Sequence, residues 1–166
     1  MRTALLVASL AFITAFVSAQ SSPSEMNQTN LYSIALKTSI LEMEKNFGHI
    51  DDSFSGIRTD YKHMIVEQAP SMTDGFPTEF ENHFVEYLDA QALVDRHRKL
   101  GKPFAVLEIR PMKNEGKTLK IEVVVYWTSY KKGRFLREVS DWSDVAFQYD
   151  CEKQQFVVSS VKLGGI

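Results

Sequence analysis

The sequence predicts an α+β domain in which N-terminal helices pack on a curled, cone-like antiparallel sheet of four to six strands. Two observations carry this. Up to about residue 100 the apolar residues recur every three or four positions, whereas from Phe104 onward they alternate. The alternating half is also cut by turn signals, Asn114-Glu115-Gly116, Lys131-Lys132-Gly133 and Asp150-Cys151-Glu152-Lys153, which divide it into an antiparallel meander.

The elements follow in order. Arg2, the uncharged stretch Ala4 to Phe16 and the small residues Val17-Ser18-Ala19 have the layout of a secretory signal peptide over 1–19, with cleavage expected between Ala19 and Gln20. Residues 20–29 are rich in Ser, Asn and Gln and read as a flexible leader. The leader holds Asn27-Gln28-Thr29, an N-glycosylation acceptor pattern, so Asn27 is a glycan candidate. The single domain is expected over 30–166.

Asn30 is a suitable N-cap for a first helix carrying Leu31, Ile34, Ala35, Thr38 and Leu41, with Phe47-Gly48 as its stop. Ile50, Phe54, Ile57, Tyr61, Met64 and Ile65 suggest a second helix opened by Asp51 and Asp52, with Gly56 a weak point inside it. Gln68 to Pro77 reads as a loop. Phe80 to Val94 reads as helical, with room for a short strand at Phe84 to Leu88, and Gly101 and Pro103 punctuate its end.

In the meander, Ala105, Leu107 and Ile109 alternate with Val106, Glu108 and Arg110. Leu119, Ile121, Val123, Val125 and Trp127 share one face of the next strand. The alternation slips around Ser140 to Trp142, which predicts a β-bulge. Phe156 to Leu163 forms the last strand. A bulged, curling sheet closed by helices would form a cone with an apolar mouth.

Composition narrows the function. A formal charge of −2 without a concentrated basic face argues against a nucleic-acid partner. The longest late apolar run, Ile121 to Trp127, is strand length and contains Glu122, so no membrane association is expected after signal cleavage. Cys151 is the one cysteine, so no internal disulfide can form, and an unpaired or intermolecular thiol is expected.

Helices followed by four long antiparallel strands resemble the nuclear transport factor 2-like superfamily, whose fold is related to the cystatins. Trp142-Ser143-Asp144-Val145-Ala146-Phe147-Gln148-Tyr149-Asp150 and Phe156-Val157-Val158-Ser159-Ser160 look most like it. The resemblance implies a conical pocket and a homodimer, in a family that holds both enzymes and binding proteins. Cystatin-type protease inhibition would need an exposed Gln-Val-Val-Ala-Gly-type hairpin. The nearest strings, Gln154-Gln155-Phe156-Val157-Val158 and Leu163-Gly164-Gly165, fall in the last strand and beyond it.

Candidate chemistry is sparse. His49, His63, His83 and His97 have no i, i+3 or i+4 partner, so neither a metal nor any other cofactor is expected. Asp95 and His97 near a helix end would face the sheet, but residues two apart on a helix diverge. Asp141 and Asp144 flank Trp142 and would form an acid/base site if one faced the pocket. Tyr126 and Trp127 alternate sides, so one is expected to line the pocket. Lys131-Lys132-Gly133-Arg134 reads as a solvated hairpin tip. The leading expectation is therefore a secreted, non-enzymatic binding protein for a small apolar ligand or a protein partner. The alternative is an isomerase or dehydratase working through Asp and His, which requires at least two of Asp95, His97, Tyr126, Asp141 and Asp144 to share a cavity.

Overall fold

The computed structural model describes residues 23–48, 59–69 and 75–165. The expected signal peptide and most of the expected second helix lie outside them. The order is α1 (Pro23–Phe47), β1 (His63–Glu67), β2 (Glu79–Phe80), β3 (His83–Leu88), α2 (Ala90–Leu100), β4 (Phe104–Ile109), β5 (Lys113–Glu115), β6 (Thr118–Lys131), β7 (Arg134–Asp150) and β8 (Gln155–Gly165). The α+β class expected from the sequence is the class found.

α1 begins at Pro23 rather than at Asn30, so it takes in part of the segment read as a leader, including the position of Asn27. Proline suits the first turn of a helix, where its missing N–H costs nothing. Along α1, Ala35, Leu36, Ile40 and Met43 are completely buried, a spacing that sets them on one stripe. Their partners include Ile121, Val123, Val125, Val145 and Phe147 of β6 and β7. Burying one such aliphatic side chain contributes about 1.5–3 kcal/mol. A polar tie crosses the same interface, where Ser143 Oγ donates to Ser39 Oγ at 2.6 Å with both residues fully buried.

Among the described residues the sheet has eight strands in the order β2-β3-β1-β4-β6-β7-β8, with β5 pairing β6. It is open, with β2 and β8 at its edges, and it is mixed: β1 runs parallel to both β3 and β4. The antiparallel four-to-six-stranded sheet expected from the sequence is corrected accordingly. Of the added strands, β1 and β2 come from segments read as helical, β3 from the stretch with room for a short strand, and β5 from the turn at Asn114-Glu115-Gly116. Met64 and Val66 are buried in the α1 core while Ile65 packs on the opposite face, an alternation of period 2. Phe80 and His83 pair across a turn in which Glu81 takes a left-handed φ of 50°.

Parallel strands need a crossover, and α2 supplies it between β3 and β4. Asp89 caps α2 by accepting from Ala92 N–H at 2.7 Å, and Gly101 ends it at φ 64°. Leu93 packs on Phe104 and Val106 of β4, whereas Leu107 of the same strand joins the α1 core. The two helices therefore cover opposite faces, not the single face expected.

The expected bulge is present. Val125 pairs with Asp141 and Tyr126 with Val139, leaving Ser140 as the extra residue. A second register shift leaves Ser159 unpaired between Ala146↔Ser160 and Phe147↔Val158. Its Oγ donates to the Ala146 carbonyl at 3.1 Å.

Candidate functional site

The two faces of β6–β7–β8 carry different chemistry. On the α2 side, beyond the reach of that helix, stand Glu122, Val124 and Tyr126 of β6 with Trp142 and Asp144 of β7 and Lys162 and Gly164 of β8. Trp142 is flanked in register by Val124 and Gly164. A β-carbon on Gly164 would stand 2.4 Å from the indole carbons Cε2 and Cζ2, so only glycine lets the ring lie across β8. The Lys162 ammonium sits 5.8 Å from the ring centroid, within cation–π range. Val124, 2% exposed, and Ala146, 6% exposed, are buried on this face with no helix over them among the described residues, roofed by their long neighbours.

Next to this patch a chain of ion pairs crosses the sheet. Arg137 reaches Glu67 at 2.8 Å and Glu108 at 3.4 Å. Arg110 meets Glu122 at 2.9 Å and Glu108 at 3.8 Å, and Lys113 approaches Glu122 at 3.7 Å. Tyr126 is the centrepiece: its hydroxyl accepts from Arg110 Nη2 at 2.8 Å, and Arg137 lies 5.9 Å from its ring centroid. The bonds to Tyr126 and then to Glu122 hold the Arg110 guanidinium more firmly charged than usual, and Glu67 does the same for Arg137. Three acids and three bases neutralise one another here, which leaves the network no surplus charge.

On the α1 side Asp141 is buried and accepts from the Tyr61 hydroxyl at 2.6 Å and from Ser140 Oγ at 2.8 Å. Burial first, and the neighbouring carboxylate second, push the Tyr61 phenol far above its ordinary value. A second cluster joins Glu44 of α1, Lys62 and the buried His83. Lys62 Nζ lies 2.9 Å from Glu44 Oε1, and His83 Nε2 lies 2.8 Å from Glu44 Oε2. The bond from Lys62 is the main influence holding the Glu44 carboxyl below the usual range, opposed by partial burial and aided by His83. Glu44, Gly48, Thr59, Asp60, Tyr61 and Lys62 line a cleft of about 300 Å³.

The residues singled out from the sequence are thus dispersed. Tyr126, Trp142 and Asp144 share the outer face. Asp141, three residues before Asp144, lies on the α1 side, so the two do not form a carboxylate pair. Trp127 is half-buried opposite Ala105, on the α1 side as well. Asp95 is exposed and bonds Gln91 and Arg98 on its own helix. His97 is spent on structure: its Nε2 accepts from the Tyr130 N–H at 3.0 Å and ties α2 to β6. Cys151 is an exposed free thiol in the β7–β8 turn. Of the five acid–base candidates, Tyr126 and Asp144 share the outer face, while Asp95, His97 and Asp141 stand apart from them.

Tyr61, Glu44, Lys62 and His83 were missed as partners because the bonds that join them span 18 to 80 residues of sequence. The Gly164-Gly165 pair marks close approach by Trp142 and by Asp141, whose Oδ1 would stand 2.8 Å from a Gly165 β-carbon. Among the described residues no group of three or more His, Cys, Asp or Glu is placed to hold a metal ion, and no helix is long and apolar enough to cross a membrane.

In comparisons with known proteins, no family model, curated protein or solved structure matches the chain.

Proposed function

We propose that the chain is a secreted, non-enzymatic interaction protein that binds a protein partner on the outer face of β6–β8. The observation that carries this is Trp142, half-buried on a stretch of sheet that no helix covers among the described residues, fitted over Gly164 and flanked by Lys162. Large aromatic side chains with an accessible polar tip are the usual anchors of protein interfaces. A small apolar ligand fits less well, because Leu36, Ile40 and Met43 of α1 fill the space against β6 and β7 with no exposure. A nuclear transport factor 2-like kinship belongs to the same reading, supported by a leading helix followed by long antiparallel strands; its cone would require the sheet to curl around α1.

The test is to purify the full chain from a secretory host and analyse it by native mass spectrometry and cross-linking. The expected result is a stoichiometric protein partner cross-linked near Trp142 and lost in Trp142→Ala, while Trp127→Ala retains it. A retained small apolar molecule, with no partner sensitive to Trp142, would overturn the reading.

A further inference from the structure

The end of the molecule where β6 turns into β7 carries charge that the fold does not need. β6 runs past its last pair with β4, Thr128 opposite Phe104, to Lys131, and β7 returns from Arg134. Lys132 and Gly133 make the two-residue turn, at φ 51° and 79°. Such a turn ordinarily takes Asn-Gly or Asp-Gly, because most side chains disfavour a left-handed φ. Lys131 and Arg134 face each other across the strands, and like charges directly opposite destabilise a hairpin. The nearest acid on either strand is Glu138, about 13 Å from Arg134 along β7. Three cations thus stand where local physics favours other residues.

This tip is braced against α2. The Tyr130 ring packs on Phe135 and His97, with centroids 5.3 and 6.0 Å away, and its N–H donates to His97 Nε2. The same tie brings Lys99, in the last turn of α2, and Lys102, in the link to β4, to this end. Lys99 also complements the helix dipole, and Asp95 is taken up by Arg98. Lys99, Lys102, Lys131, Lys132 and Arg134 have no ion pair among the described residues.

The cations lie on both faces of the sheet. Tyr130 and Phe135 turn toward α2, so their neighbours Lys131, Arg134 and Leu136 turn the other way. Leu100 of α2 and Leu136 are 41% and 48% exposed, one on each side of the hairpin. A linear polyanion lying along one face would meet one set of cations. A flat surface met end-on would meet both, and would offer the two leucines an apolar layer. Cations mixed with exposed apolar side chains on a rigid element suit the boundary between headgroups and acyl chains.

We infer that this end of the molecule docks on an anionic phospholipid surface, the β6–β7 tip and the end of α2 meeting the headgroups together. The contact is peripheral, made by charge, and needs no spanning segment. It uses neither Trp142 nor Lys162, so it stands or falls apart from the partner reading above.

The probe is co-sedimentation of the full chain with vesicles of phosphatidylcholine alone, or of phosphatidylcholine and phosphatidylserine in equal parts. Binding is expected to the mixed vesicles only, and high salt should screen it out. One cation near an anionic surface strengthens binding about fivefold. Lys132→Asn should therefore weaken binding by about that factor, while thermal unfolding shows no loss of stability because Asn suits the turn. Lys131→Gln with Arg134→Gln should weaken it about 25-fold. Lys117→Gln removes a cation at the opposite end of β6 and should leave binding unchanged. Equal binding to both vesicles, binding to neither, indifference to the tip variants, or an equal loss in Lys117→Gln would each overturn the inference. So would retention on a sulfated polysaccharide without binding to the mixed vesicles.

Discussion

The indole of Trp142 occupies the space that a β-carbon on Gly164 would fill, the nearest ring carbons lying 2.4 Å from where that atom would stand. The contact joins β7 to the edge strand β8 and fixes where the most prominent aromatic of the outer face can lie. It also accounts for a glycine near the end of the edge strand, where a flexible residue otherwise weakens a sheet.

Gly164→Ala is therefore expected to destabilise the fold by about 1–3 kcal/mol, the usual cost of overpacking. Trp142→Ala in the same chain should recover much of that loss, since it removes the atoms in conflict. Chemical denaturation of the two single variants and the double variant measures the coupling. Strictly additive effects would show that the ring does not hold the glycine in place.

Tyr61 and Asp141 give a pH prediction. The folded-state phenol titrates above its unfolded value near 10, so its contribution is fully present below about pH 10 and is lost as pH rises beyond it. Tyr61→Phe leaves Asp141 short of a donor and should cost about 1–3 kcal/mol at neutral pH. Its stability should also fall less steeply than wild type in alkali. Thermal unfolding between pH 7 and 11 reads both effects.

Glu44 behaves in the opposite sense. Its carboxyl is held below the ordinary value of 4.5, so the stabilisation it gives with Lys62 and His83 is present above that pH and fades as pH falls through the folded-state value. Glu44→Gln should flatten the acid limb of the stability profile and leave the alkaline limb unchanged. Urea midpoints measured from pH 3 to 7 would separate the two proteins; parallel curves would refute the assignment.

The buried hydroxyl pair Ser39 and Ser143 should show non-additivity. Ser143→Ala strands the Ser39 hydroxyl inside the helix–sheet interface at a cost of about 1–3 kcal/mol. The double variant with Ser39→Ala should be more stable than that single variant, because no polar group is then left unsatisfied. Comparing unfolding free energies of the four proteins tests this.

Much of the C-terminal half was legible in the sequence. The alternation of Leu119, Ile121, Val123 and Val125, the turns that divide the strands and the slip at Ser140 are local patterns, and the structure follows each of them. α2 was legible at its Gly101 end for the same reason. The first half was harder. Phe80, Phe84, Tyr87 and Leu88 step by three and four, yet Phe80 lies in β2 and the others in β3, because pairing with β1 outweighs a weak helical period. That β1 would run parallel to β3 and β4, sending α2 to the face opposite α1, is invisible to any local window.

By itself the sequence determined the α+β class, the meander and the absence of an internal disulfide, because periodicity, turn residues and cysteine count are properties of neighbouring residues or of composition. The tertiary structure alone decided which face each side chain serves. It placed Asp141 against Tyr61, 80 residues away in the chain, put Asp144 on the other side of the same strand, and laid Trp142 over Gly164. Those pairings depend on strand register and crossover path, which are set by the burial of the whole core rather than by any segment's own preference.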